Sequence, residues 1–409
     1  MLSKKIDSCR ICKNQGIDLI LDLGEQPLAN SLKREAYIGE NKVPLIICRC
    51  TKCGTIQLTE NASPEVMFED YVWVTGTSST AKEYSKVFCQ RVIDKAKGDG
   101  LRIVEIASND GTFLESFKGK GHKVLGVDPA KNIAEIANER KIPTIDKFFS
   151  EELAETIVTD YGAADIVIAR NVIPHVPDPN NIVSGIAKTL KNEGIGVIEF
   201  HWSEKIVKEI HYDSIYHEHY FYHSIASLER LLKIHGLKVF DVDISPISGG
   251  SLVIYFSKEQ RKESKELNEL RSHENSIGLN SKEQWDEFAK ASKLHSKLLR
   301  NMVIEEYEKG KKIIGYGASA RSSTMLNFCN IDNSLITLIA DKSSLKHGKY
   351  TAGTNILITD PDTALECKPD IILLLAWNFK DEIIQELKER GYKGEVIVPL
   401  PVKPTKITI

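Results

Sequence analysis

LRIVEIASNDGTFLESF, residues 101–117, decides how the chain is organised. The first half is a short apolar run of the kind that forms a strand buried on both faces, and it ends at Glu105. The second half, TFLESF, reads as the start of a helix, with only ASNDG between the two. A loop joining the carboxyl end of a strand to a helix N-terminus is where doubly wound α/β sheets place a cofactor.

KVLGV (123–127), DIVIAR (165–170) and GIGVIEF (194–200) repeat the apolar run, with amphipathic stretches such as AEIANERK and NIVSGIAKTLKNEG between them. Strands alternating with helices imply right-handed crossovers and a parallel sheet. LKVFDVDI and GSLVIYF follow too closely for a helical crossover, so they predict an antiparallel hairpin closing that sheet. Residues 258–307 are charged and helix-favouring. From Lys311 the alternation restarts with KKIIGYGA, SLITLIAD, DIILLLAW and GEVIVPL, which predict a second, smaller parallel sheet. The expected fold is therefore α/β in three units: a zinc-binding module over 1–70, the doubly wound sheet with its antiparallel last hairpin over 71–257, and a helical linker with a Rossmann-like domain over 258–409.

A chain of 409 residues exceeds one hydrophobic core, consistent with that division. Hydrophobic residues at 42% and charged residues at 27%, without an apolar run of bilayer length, predict a soluble protein. The opening MLSKKIDSCR lacks the apolar core of a secretory signal, so a cytoplasmic location and no membrane partner are expected. A net charge of -3 and a pI near 6.4 give no footprint for nucleic acid.

Five of the eight cysteines precede Gly54, which argues for a local metal site rather than a disulfide framework. Cys9 and Cys12 form one CxxC pair, and Cys50 and Cys53 form another. Four thiolates close a tetrahedral zinc site and leave no position for substrate, so the metal is expected to be structural. Cys48 is a competing thiol, and Cys50 is preferred because it gives the CxxC spacing.

At the loop after the first strand, a dinucleotide would require a GxGxxG pattern. Here Ala107, Asn109 and Asp110 accompany the single Gly111, which suits a ligand bearing a cationic sulfonium and an amino group: S-adenosylmethionine. Asp128 ends the next strand, 23 residues after Glu105, where a carboxylate can accept both ribose hydroxyls.

HYDSIYHEHYFYH (211–223) packs four histidines and four tyrosines into thirteen positions, after a strand and before the helix at ASLERLL. Methylating carbon requires a carbanion equivalent, and a ketone beside the reacting carbon provides one as an enolate. His219 suits the base, Glu218 a carboxylate that fixes the tautomer, and Tyr216 a donor to the enolate oxygen. Such convergence requires a turned loop. Tyr212, Tyr220, Phe221 and Tyr222 read first as aromatic packing over the domain junction, with Tyr222 kept among the substrate contacts.

These blocks resemble a family: the zinc-containing sugar C-methyltransferases acting on nucleotide-linked 4-keto-6-deoxy sugars. The resemblance runs through CRIC, LDLGEQPLAN, CTKCG, YVWVTGTSS, VEIASNDGTFL, ARNVIPHVPDP, YDSIYHEHYFYHS, ISGGSLVIYF, GYGASARSSTMLN, KYTAGTNILI and LLLAWNFKDEI. It implies a class I methyltransferase domain and a sugar nucleotide, dTDP- or GDP-linked, held between the terminal domains. Glu105, Ala107, Asn109, Gly111, Asp128 and Asn171 would surround the cofactor, and His175 would join Tyr216, Glu218 and His219 in catalysis. Tyr71, Tyr222, Arg321 and Asn327 would meet the substrate. A monomer, at most a weak homodimer, is expected. Ala107 stands where many methyltransferases have glycine, and Arg321-Ser322 where the family has a lysine-glycine pair. The competing readings are O- or N-methyl transfer, an NAD-dependent sugar oxidoreductase and a non-catalytic zinc-ribbon adaptor.

Overall fold

A computed structural model describes residues 3–36, 40–62, 74–245 and 250–409. The central sheet has seven strands, numbered here in chain order: β1 (Arg102–Ile106), β2 (Lys123–Val127), β3 (Thr144–Ile145), β4 (Ala164–Arg170), β5 (Leu190–His201), β6 (Lys238–Ser245) and β7 (Ser251–Ser257). Their spatial order is β6-β7-β5-β4-β1-β2-β3. Only β7 is reversed, antiparallel to both β5 and β6, as the closely spaced hairpin sequences predict. Ile103, Val104, Ile166, Val167, Val197 and Ile198 are buried on one face or the other, which explains the unbroken apolar runs. β3 is only two residues long and carries no periodic signal.

Beyond the sequence expectation, a short helix at Ser203–Lys208 stands between β5 and the His/Tyr block. The block opens with one 3₁₀ turn at Tyr212–Ser214 and closes with a two-residue strand at Phe221–Tyr222. That strand pairs with Ile56–Leu58 and completes the four-stranded sheet of the cysteine-rich module, beside Lys42–Cys50 and Ile17–Pro27. Module and central domain are thus sewn together by backbone hydrogen bonds, among them Leu58 N–H to the Tyr220 carbonyl at 2.9 Å.

The charged linker region forms two helices, Lys265–Ser276 and Lys282–Glu308, N-capped by Ser264 and Ser281. The C-terminal sheet has six strands rather than the four read from sequence. Leu357–Thr359 adds one edge, and Thr405–Thr408 adds the other, antiparallel to Glu395–Val398. It is therefore not wholly parallel. Among the described residues, no helix is long and apolar enough to cross a membrane.

Candidate functional site

The four cysteines of the two CxxC pairs converge, with all four sulfur atoms within 4.8 Å of one another. Cys9 and Cys53 are 3.6 Å apart, as are Cys12 and Cys50. Zinc–sulfur bonds of about 2.3 Å in a tetrahedron place sulfurs roughly 3.8 Å apart, so the donor set fits zinc. Cys48 lies outside the cluster; burial pushes its thiol up to about 12, which keeps it neutral. Arg10, between the first two ligands, donates to the carbonyls of Leu58 and Glu60 and rests 5.4 Å from the Tyr220 ring centroid. The knuckle thereby supports the His/Tyr block directly.

The loop after β1 is shaped by left-handed residues: Ala107 (φ 52°), Asn109 (φ 50°) and Gly111 (φ 77°). A Cβ on Gly111 would come within 2.9 Å of Ile142, so glycine is obligatory there. Ala107 occupies a glycine-favouring conformation at a cost of about 1 kcal/mol. Asp128 accepts the Asn109 amide at 2.9 Å and the Ala130 amide at 3.0 Å, bracing the loops after β1 and β2. Asn171, also left-handed, follows β4 and donates its amide to the Glu199 carbonyl. Sequence reading missed the cover of this loop. Thr75 N–H donates to Asn109 Oδ1, and Gly76 N–H donates to Asp110 Oδ2, where a Cβ would lie 2.4 Å from that oxygen.

Glu105 and Glu199 share one cation, Arg170, at 3.9 and 2.8 Å, and Arg170 lies against the Phe113 ring. Oε2 of Glu105, Oε1 of Glu199 and Oγ of Ser108 are buried without a hydrogen-bond partner among the described residues. Burial raises the Glu105 carboxyl to about 8, against the opposing pull of Arg170. A surplus of buried acceptors at the carboxyl edge of the sheet fits a cationic cofactor better than a dianionic one.

The turned loop brings Tyr216, His219 and His175 together. Tyr216 Oη lies 2.7 Å from His219 Nε2, and the His175 and His219 ring centroids are 4.6 Å apart. His219 Nδ1 lies 2.8 Å from the Ser214 carbonyl. A carbonyl only accepts, so Nδ1 carries the proton and Nε2 is the acceptor. Desolvation holds His219 well below its ordinary range and His175 at about 4, so both are neutral near pH 7.

Three residues sit elsewhere than the sequence reading placed them. Glu218 does not orient His219: its Oε1 accepts from Asn30 of the zinc module at 2.6 Å, and burial raises it to about 7. The Ser214 carbonyl takes the orienting role. Tyr222 is 3% exposed within the inter-domain seam rather than on an open substrate surface. Arg321, expected to meet the substrate, forms a two-pronged pair with Asp213, at 2.9 and 2.8 Å. Asn327 donates to the Ser323 and Ala352 carbonyls and lines a cavity of about 680 Å³ between the strand Ile17–Pro27 and the C-terminal domain. Tyr71 lies outside the described residues.

A seven-stranded sheet with only the seventh strand reversed, carrying an acceptor-rich carboxyl edge, is that of a class I methyltransferase. Residues 81–242 match the family described as "Methyltransferase domain", 9–68 "Putative zinc binding domain", and 246–401 "C-methyltransferase C-terminal domain". C-methyltransferase NovU of Streptomyces niveus is 32% identical over 406 residues, 97% of this chain and 96% of that protein. The chain belongs to this C-methyltransferase family. It is an S-adenosylmethionine-dependent enzyme that methylates carbon, with zinc in its N-terminal module. Ubiquinone biosynthesis O-methyltransferase of Vibrio parahaemolyticus serotype O3:K6 is 23% identical over 147 residues, covering 35% of this chain and 63% of that protein. The S-adenosylmethionine-bound crystal structure of magnesium protoporphyrin IX methyltransferase from Synechocystis PCC 6803 is 14% identical, covering 44% of this chain and 79% of that one, with a TM-score of 0.34.

Proposed function

We propose that the substrate is a nucleotide-linked 4-keto-6-deoxy sugar, dTDP- or GDP-linked, and that methylation occurs at C-3 through an enolate. The observation that carries this reading is the Tyr216–His219–Ser214 chain of hydrogen bonds. S-adenosylmethionine supplies the methyl group. The Tyr216 hydroxyl has one proton, which His219 Nε2 accepts in the resting site. When the ketone oxygen accepts that proton's hydrogen bond instead, the Nε2 lone pair is released toward the C-3 hydrogen. Nε2 then takes that proton, the C–H electron pair becomes the enolate double bond, and Tyr216 steadies the negative oxygen. Nδ1–H donating to the Ser214 carbonyl stabilises the imidazolium that forms. His175, neutral and adjacent, adds no competing charge.

The test is His219→Asn. Loss of a positioned base lowers kcat by ~10²–10⁴-fold, while substrate affinity stays nearly constant. NMR detection of solvent deuterium exchange at C-3, without methyl donor, isolates the proton transfer. Exchange as fast as in the parent enzyme would remove His219 from the role.

A further inference from the structure

The Tyr212–Ile215 turn is gripped from the C-terminal half of the chain at every residue but one. Asp213, fully buried, accepts both prongs of Arg321 and also the Trp377 indole N–H at 2.8 Å. The Arg321 guanidinium stacks over Trp377, 4.8 Å from the ring centroid. Thr324, one turn further along the same helix, donates its hydroxyl to the Ile215 carbonyl at 2.8 Å. Tyr212 Oη lies 3.0 Å from His295 Nδ1, on the long helix, and His295 Nε2 lies 2.7 Å from the Pro399 carbonyl. The remaining residue is Ser214, whose carbonyl orients His219.

That arrangement brackets one peptide group. The Ser214 carbonyl belongs to the Ser214–Ile215 peptide, with Asp213 anchored on one side and Ile215 on the other. A carbonyl held on both flanks cannot rotate away, so it holds the proton of His219 on Nδ1 and keeps Nε2 as acceptor. A bidentate guanidinium–carboxylate pair, desolvated and further bonded by an indole, sets angle as well as distance. A lysine in place of Arg321 would retain the charge and lose the angle.

We infer that Asp213, Arg321 and Thr324 are positioning residues for His219, by which the C-terminal domain fixes the tautomer of the base through the Ser214 carbonyl. The inference rests on the proposed role of His219, but its physical content, which ring nitrogen holds the proton, is observable without turnover. It also assigns the arginine at 321 a task inside the protein rather than on the substrate.

The test uses the full-length zinc-loaded enzyme and three mild variants, Arg321→Lys, Asp213→Asn and Thr324→Val, each checked for zinc content and a parent-like melting profile. Imidazole ¹⁵N signals, with His219 assigned by difference from His219→Asn, report the tautomer. The parent is expected to show protonated Nδ1 alone, and Arg321→Lys and Thr324→Val a mixture of tautomers. A misplacement of this kind costs roughly ten- to hundredfold in kcat, with KM within about threefold. If Asp213→Asn misfolds, the other two variants decide. An unchanged His219 spectrum in both overturns the inference, whatever happens to kcat. A raised KM with kcat intact also overturns it and returns Arg321 to the substrate. Should the parent methylate no keto sugar nucleotide, the proposed function falls while the ¹⁵N spectra still decide the positioning.

Discussion

Asp128 and Asp341 occupy matching places in two different sheets. Each follows the second strand of its sheet. Each accepts an amide from the loop after the first strand, Asn109 in one case and Ala318 at 2.7 Å in the other. Each also accepts the amide two residues on, Ala130 and Ser343. The difference lies in charge. Lys346 sits 3.2 Å from Asp341, whereas Asp128 has no cation within salt-bridge distance among the described residues and lies in the same electrostatic neighbourhood as Glu105. The C-terminal loop is also closed by packing: a Cβ on Gly317 would lie 2.4 Å from the Ala376 side chain. A shared loop architecture therefore yields one loop with unbalanced acceptors and one whose carboxylate is neutralised by the protein itself. The local sequences GYGAS and EIASNDG do not by themselves tell these outcomes apart.

Five measurements bear on this contrast, and zinc removal should have the largest effect. The His/Tyr block hangs on the knuckle through Leu58, Arg10 and Asn30, and structural zinc contributes on the order of 10 kcal/mol to folding. Cys53→Ser is expected to lose zinc, aggregate and lose turnover; a stable, active Cys53→Ser protein would overturn the structural assignment. The next pair tests the carboxylates directly. Asp128→Asn should weaken S-adenosylhomocysteine binding by about a hundredfold, equivalent to about 3 kcal/mol, as measured by calorimetry. Asp341→Asn should leave that affinity unchanged and lower stability by about 1–3 kcal/mol in thermal unfolding. Equal effects on affinity would erase the distinction.

A smaller effect is expected from pH. Because Glu105 is raised to about 8 in the folded protein, the native state holds a proton that the unfolded chain releases above its ordinary carboxylate range. Stability should therefore fall as pH rises toward 8 and level off above it. Ionisation favours a cation, so affinity for S-adenosylmethionine relative to S-adenosylhomocysteine should rise across the same interval, by at most about tenfold per pH unit. Glu105→Gln should flatten that dependence; a ratio that stays pH-dependent in Glu105→Gln would place the proton elsewhere. The smallest effect belongs to Ala107→Gly, which relieves a left-handed alanine. Chemical denaturation should show a change within about 1 kcal/mol, and a large loss would mean that the methyl group packs against something essential.

What could be read from sequence was local. The CxxC pairs fixed their own partners because each pair is preorganised, and β1, β2, β4 and β5 stood out as apolar runs of ordinary length. Loop residues such as Gly111 and Asp128 were placed by the strand ends beside them. Contacts across long separations left no such trace. Asn30 meets Glu218 188 residues away, and Asp213 meets Arg321 across 108. No periodicity announces the two-residue strands Thr144–Ile145 and Phe221–Tyr222, because their pairing is decided by the neighbouring strand rather than by their own composition. Glu218 was misassigned for the same reason. Adjacency in sequence suggested a partner for His219, but in this turn the Nδ1 of His219 meets the backbone carbonyl of Ser214 while the Glu218 carboxyl meets Asn30.

The strand Phe221–Tyr222 has a consequence for how the molecule opens. The Leu58 amide, in the zinc module, is closed by a carbonyl of the His/Tyr block, so it cannot exchange with solvent unless the two come apart. Its deuterium uptake is thus a built-in gauge of breathing at the seam. Slow exchange there, matched by the amide of Tyr220 bonded to the Pro174 carbonyl, would mark knuckle, seam and the Tyr212–Ile215 turn as one cooperative unfolding unit.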